Sequence, residues 1–102
     1  MIVRIEIDTP QLHMAAADQF DYRVTYEGEA LYADAELPSL VDALVAAVEG
    51  LAPETVGAEV WFRGIVSGTY PLHVIAGNLA QIATHAQNTT AAILEATGEQ
   101  PE

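Results

Sequence analysis

Four charged residues on one predicted hairpin have the types and spacing for carboxylate chemistry. Asp21, Asp34 and Glu36 surround Arg23 if Phe20–Tyr26 pairs with the segment that follows it. Two carboxylates held close together can split their pKa values into an acid and a base, or hold a hard cation. A solvated acidic sheet face is the simpler reading of the same residues. Histidine occurs at 13, 73 and 85. His73 and His85 stand twelve residues apart on one predicted helix, pointing about 120° apart, so they cannot share a metal within one subunit. No HExxH or His-x-His spacing, no glycine-rich phosphate loop and no GxSxG nucleophile motif occurs, and Cys is absent. No catalytic centre, cofactor or metal is therefore expected. Trp61, on the charged side of a predicted strand, could line a small-molecule surface with Thr25, Tyr32 and Arg63, or anchor a protein contact.

The elements that must position these residues follow from periodicity. Ile2–Asp8 alternates, with Val3, Ile5 and Ile7 facing one way and Arg4, Glu6 and Asp8 the other, as in a half-buried strand. Residues 10–18 carry a proline in a first-turn position and good helix formers, and read as a short helix or an irregular loop. Phe20–Leu37 is a hairpin, with Gly28-Glu29 as a type II′ turn. That register sets Tyr26 opposite Leu31, Val24 opposite Ala33, Arg23 opposite Asp34, Thr25 opposite Tyr32 and Asp21 opposite Glu36. Ser39 and Asp42 have capping-box spacing at the head of a helix whose apolar face is Leu40, Val41, Leu44, Val45 and Val48, stopped by Gly50. Ala58–Val66 reads as a fourth strand.

The last segment is distinctive for what it lacks: from Gly64 to Leu94 there is no Asp, Glu, Lys or Arg. Ser67–Pro71 reads as a turn and helix start, and the apolar seam Leu72, Ile75, Leu79, Ile82, Ala86, Ile93 predicts one helix over about 71–97. Beside the seam run Asn78, Gln81, His85 and Asn88, and a third face of small residues includes Ala80 and Ala83. A helix with one face in water normally carries charges there. The sequence thus predicts that Asn78, Ala80, Gln81, Ala83, His85 and Asn88 form an oligomer interface.

The fold class expected is α+β: a small antiparallel sheet with a long C-terminal helix, in a single domain over 1–98 followed by a short acidic tail at 99–102. With 10–18 helical, the order β-α-β-β-α-β is that of a ferredoxin-like split βαβ unit with a C-terminal addition. Without it, the core is an antiparallel meander with one crossover helix.

Composition bounds the partners. Fifteen acidic residues against three arginines give a formal charge of −12 over 102 residues. Such a chain has almost nothing with which to displace phosphate counterions, and it is repelled by anionic membranes. No basic leader precedes the first strand, so cytoplasmic residence is expected. Arginine in place of lysine, with abundant alanine, suggests a GC-rich or halophilic source. The function expected is that of a non-enzymatic acidic interaction protein. It self-associates through its C-terminal helix and binds or inhibits a basic protein, in the manner of antitoxin-like neutralisers or phage accessory inhibitors. Asp21, Glu27, Glu29, Asp34, Glu36 and Trp61 are the expected partner-binding residues. The rivals are a small oligomeric ligand-binding or catalytic protein, with a pocket at the sheet face or subunit boundary, and a structural subunit of a larger assembly.

Overall fold

A computed structural model describes residues 1–8 and 20–96. The predicted helix or loop at 10–18 and the acidic tail at 99–102 lie outside the described residues.

The chain forms an α+β fold. Its strands are β1 (Ile2–Asp8), β2 (Phe20–Tyr26), β3 (Glu29–Leu37), β4 (Gly57–Phe62) and β5 (Ile65–Pro71), and its helices α1 (Leu40–Glu49), α2 (Leu72–Gly77) and α3 (Leu79–Ala96). The sheet order is β3-β2-β1-β4-β5. β1, β2 and β3 are an antiparallel meander, α1 crosses over to β4 parallel to β1, and β5 returns antiparallel beside β4. This is the meander with one crossover helix. β1 and β2 are direct antiparallel neighbours, whereas a split βαβ unit would set them parallel with another strand between them.

Alternation along the strands sorts the two faces. Val3, Ile5 and Ile7 of β1, Tyr22 and Val24 of β2, and Ala58, Val60 and Phe62 of β4 are buried on one face. α1 covers it with Leu40, Ala43, Leu44 and Ala47, and α3 with Ile82, Ala83 and Ala86. Val41 and Val48 sit at the margin of α1's contact; small alanines at its centre let the helix approach the sheet closely. Ser39 caps α1, its Oγ accepting from the Asp42 N–H at 3.0 Å and donating to the Asp42 carboxylate at 2.9 Å.

The hairpin turn is Glu27-Gly28, not Gly28-Glu29. Both residues have positive φ (52° and 82°), the type I′ geometry whose twist matches that of the strands. Tyr26 therefore pairs with Glu29, Val24 with Tyr32, Arg23 with Ala33 and Thr25 with Ala30. Two irregularities in β3 absorb the difference, so that Phe20 meets Leu37, the pair that a turn at Gly28-Glu29 would also give.

Two further corrections concern the uncharged segment. The fourth strand ends at Phe62: Arg63 and Gly64 (φ 54° and 81°) make a second type I′ turn, and Ile65–Pro71 is a strand rather than a turn and helix start. The helix expected over 71–97 is two helices. Gly77 is a poor helix former, and Asn78 leaves helical geometry (φ −140°, ψ 34°), its side-chain amide donating to the Val74 carbonyl at 2.9 Å. The Asn78 carbonyl then accepts from Ile82 N–H at 2.9 Å in the first turn of α3. The seam also overruns the sheet. Thr90 is the last fully buried residue of α3, its Oγ donating to the Phe62 carbonyl at 2.9 Å, while Ile93 is 41% exposed.

Candidate interaction surfaces

Three surfaces contain the residues singled out by the sequence. The first is the sheet face left bare by the helices. Here Arg4 Nε meets Glu59 Oε1 at 3.2 Å, the same carboxylate oxygen accepts from the Trp61 indole N–H at 2.7 Å, and the Arg4 guanidinium lies 4.4 Å from the Trp61 ring centroid. Arg23 reaches Glu6 at 2.8 Å, and not Asp34. Parallel pairing of β1 with β4 sets Arg4 opposite Glu59, and antiparallel pairing with β2 sets Glu6 opposite Arg23. Two of the chain's three arginines thus offset Glu59 and Glu6 on this face. A cavity of about 440 Å³ opens on it, lined by Arg4, Arg23, Thr25, Glu6, Glu27 and Glu59 among others. The ion pairs are solvated and each holds little energy, on the order of 0–1 kcal/mol.

Tyr32, expected on this face, lies on the other. It packs edge-to-face against Tyr22, with ring centroids 6.1 Å apart, and its hydroxyl donates to the Ala47 carbonyl in the last turn of α1. A Cβ at Gly50 would stand 2.8 Å from the Tyr32 ring, so glycine there gives the ring its place. Burial pushes the Tyr32 hydroxyl up to about 12, with Tyr22 adding to the effect. Tyr22 is raised too, by burial first and then by Asp34. Trp61, Thr25, Tyr32 and Arg63 therefore do not line one site: Tyr32 is across the sheet, and Arg63 is in the β4–β5 turn.

The second surface is the β3 edge. Glu27 lies in the hairpin turn and Glu29 directly after it, and Asp34 and Glu36 follow along the same exposed strand. Asp21 joins them from β2, its Oδ1 accepting the Glu36 backbone N–H at 3.4 Å, and Asp34 Oδ1 accepts the Ala35 N–H at 2.8 Å. These carboxylates brace an irregular strand in which Glu36 has φ 63°. Among the described residues, no group of three or more His, Asp or Glu side chains is placed to hold a metal ion. Trp61 is not part of this patch. It lies on β4, three strand spacings or about 14 Å from β3.

The third surface is the outer side of the C-terminal helices. Asn78, Ala80, Gln81, His85 and Asn88 are exposed there, and Thr89 Oγ lies 3.4 Å from His85 Nε2. Ala83 is not among them. It is 3% exposed and packs in the core, because about 100° of turn per residue sets both Ile82 and Ala83 towards the sheet. No helix among the described residues is long and apolar enough to cross a membrane.

The Arg4–Glu59–Trp61 cluster was missed by sequence reasoning. Glu59-x-Trp61 signals two side chains on one strand face, but bringing Arg4 to them requires knowing that β1 pairs with β4. No family model, curated protein or solved structure matches this chain.

Proposed function

We propose that this chain is a non-enzymatic acidic interaction protein that pairs with a second copy through its C-terminal helix and offers the β3 edge to a basic protein partner. The observation that carries the reading is the exposed outer side of α2 and α3, uncharged until Glu95 in the last turn, on a chain of charge −12. Two such molecules repel wherever their carboxylates face each other, so contact between copies is least opposed where there are none. The acids at positions 21, 27, 29, 34 and 36 supply the complementary requirement for a basic partner. An inhibitor of the antitoxin-like or phage accessory class is the kind of protein such a surface suits.

Sedimentation at high micromolar concentration tests the first half. The wild type is expected at twice 10.9 kDa, and Gln81→Glu or Ala80→Glu should shift it towards the monomer by placing charge in the contact. A wild type that sediments as a monomer refutes the pairing. Capture of a basic protein from the native host at low salt, lost at moderate salt, tests the second half.

The cavity on the bare sheet face favours one other reading, a small-molecule binder. Its 440 Å³ falls in the usual range for ligand sites. Arg4→Ala should abolish binding of any such ligand without affecting sedimentation.

A further inference from the structure

The two edges of the sheet are built differently. β3 carries Glu29, Asp34 and Glu36 and is irregular at two places, and charges and bulges are what keep an edge strand from pairing with another chain. β5 carries no charged side chain. Its one register shift lies at Val60/Trp61, and beyond it Gly68–Pro71 pair in regular order with Val60–Gly57.

The ladder fixes which way the β5 backbone points. Leu72 N–H donates to the Val56 carbonyl at 3.0 Å, in line with the Pro71–Gly57 register. Antiparallel pairs alternate between bonded and non-bonded. Tyr70 and Gly68 therefore aim their backbone groups at β4, and Thr69 aims its N–H and C=O off the free edge. Thr69 is exposed, and no described strand lies beyond β5. Pro71 shares the outward phase: it removes no bond to β4, and it offers no N–H to a second strand, so outward pairing centres on Thr69 and not on the strand's end.

The helices bring the same character to this edge. A cavity of about 450 Å³ separates Tyr70 of β5 from Val74, Asn78, Gln81, Ile82 and His85. The amide side of α3 thus borders β5, and edge and helix flank form one uncharged surface.

We infer that a second copy pairs along this surface, β5 against β5, antiparallel about a two-fold axis at Thr69. The inference rests on the self-association proposed above and adds to it the strand and the register. The N–H and C=O of Thr69 exchange hydrogen bonds with the same groups of the second copy. The two sheets then run on as one, and a two-fold axis normal to the sheet sets the two α3 helices side by side on the same face. The amide stripe meets its own copy there.

The absence of cysteine makes the register testable. Residues opposed in a hydrogen-bonded antiparallel pair have Cα atoms about 5.5 Å apart, within disulfide reach. Thr69→Cys should oxidise to a linked dimer on a non-reducing gel, while Ala33→Cys, on the β3 edge, should stay monomeric. Thr69→Glu should raise the dimer dissociation constant about fivefold, and mixing it with Thr69→Lys should restore the dimer. Sedimentation of the wild type separates the two levels of failure. A monomeric wild type overturns self-association and this inference with it. A dimeric wild type in which Thr69→Cys links no faster than Ala33→Cys, and Thr69→Glu changes nothing, overturns the strand pairing alone.

Discussion

Replacing Tyr32 by Phe removes one hydroxyl and should change how the protein responds to alkali. The hydroxyl donates to the Ala47 carbonyl, one of the otherwise unpaired acceptors at the end of α1. At neutral pH its loss should cost about 1 kcal/mol, the usual net value of such a bond. The larger signature lies at high pH. The chain has no Cys, and its three basic residues are all arginines, so tyrosines are the groups that titrate there. In the unfolded chain Tyr32 ionises near its ordinary value of 10.0, and in the fold it holds its proton to about 12. The folded state therefore binds more protons across that window. The stability this contributes is fully present below pH 10 and is lost as pH rises towards 12. At full value, linkage over those two decades is worth ~2.7 kcal/mol. The ring is only half-buried, and solvent screening brings the expected figure to about 1 kcal/mol. Denaturant midpoints across the alkaline range, read beside tyrosinate absorbance, measure it for the wild type and for Tyr32→Phe. The variant should start lower and fall less steeply, keeping only the part due to Tyr22. Parallel alkaline slopes for the two proteins would refute the reasoning.

Four other outcomes are expected. Thr90→Val keeps the shape of the side chain but removes the buried hydrogen bond that its hydroxyl gives the Phe62 carbonyl, and should cost about 1 kcal/mol in a urea titration. Ala83→Glu buries a carboxylate in the core, and should destabilise by about 3 kcal/mol or more. Ala80→Glu, one turn away on the exposed side, should leave the melting temperature of the monomer nearly unchanged. Arg23→Ala breaks an exposed ion pair and should change stability by less than about 1 kcal/mol, a result checked by thermal melts at low and high salt.

The fold was legible where one residue type decides one local question. Val3, Ile5 and Ile7 announce a strand by alternation alone, and Ser39 with Asp42 announces a helix start. The hairpin between Phe20 and Leu37 was legible as a hairpin, but not its register. Glu27-Gly28 and Gly28-Glu29 are both acceptable turns in isolation, and the irregularities in β3 that reconcile the true turn with the Phe20–Leu37 pair leave no mark in composition. β5 was hidden by its neighbours. Ser67, Gly68 and Pro71 resemble a turn and helix start, yet Ile65, Val66, Thr69 and Tyr70 all favour a pleated surface, and pairing with β4 decides the matter. The break at Asn78 had a local signal in Gly77-Asn78, overridden by an apolar seam that runs through it. The acidic patch was legible because it needs only the hairpin. The Arg4–Glu59–Trp61 cluster was not, since its members come from strands fifty-five residues apart in sequence that meet only after α1 has crossed over.

The placement of charge gives the two proposed contacts opposite responses to salt. Arg4 and Arg23 neutralise Glu59 and Glu6 on the bare sheet face, and among the described residues the acids of the β3 edge form no ion pair. β3 and β5 are the two outer strands of five, four spacings or about 19 Å apart. That exceeds the Debye length of about 8 Å at physiological ionic strength, so charge at one edge has little effect on contacts at the other. A basic protein on the β3 edge is drawn there by attraction, which added salt weakens. A second copy at the β5 edge must approach against the net charge of another −12 chain, and added salt weakens that repulsion. Raising ionic strength should therefore release the basic partner while tightening the dimer. A surface that served only for solubility would show the second effect without the first. Were a single surface to serve both contacts, salt would drive one occupant out in favour of the other, and excess dimer-competent protein would compete with the partner at constant salt. With the two proposed contacts at opposite edges no such competition is expected, and each dimer would offer an acidic edge at either end of the joined sheet.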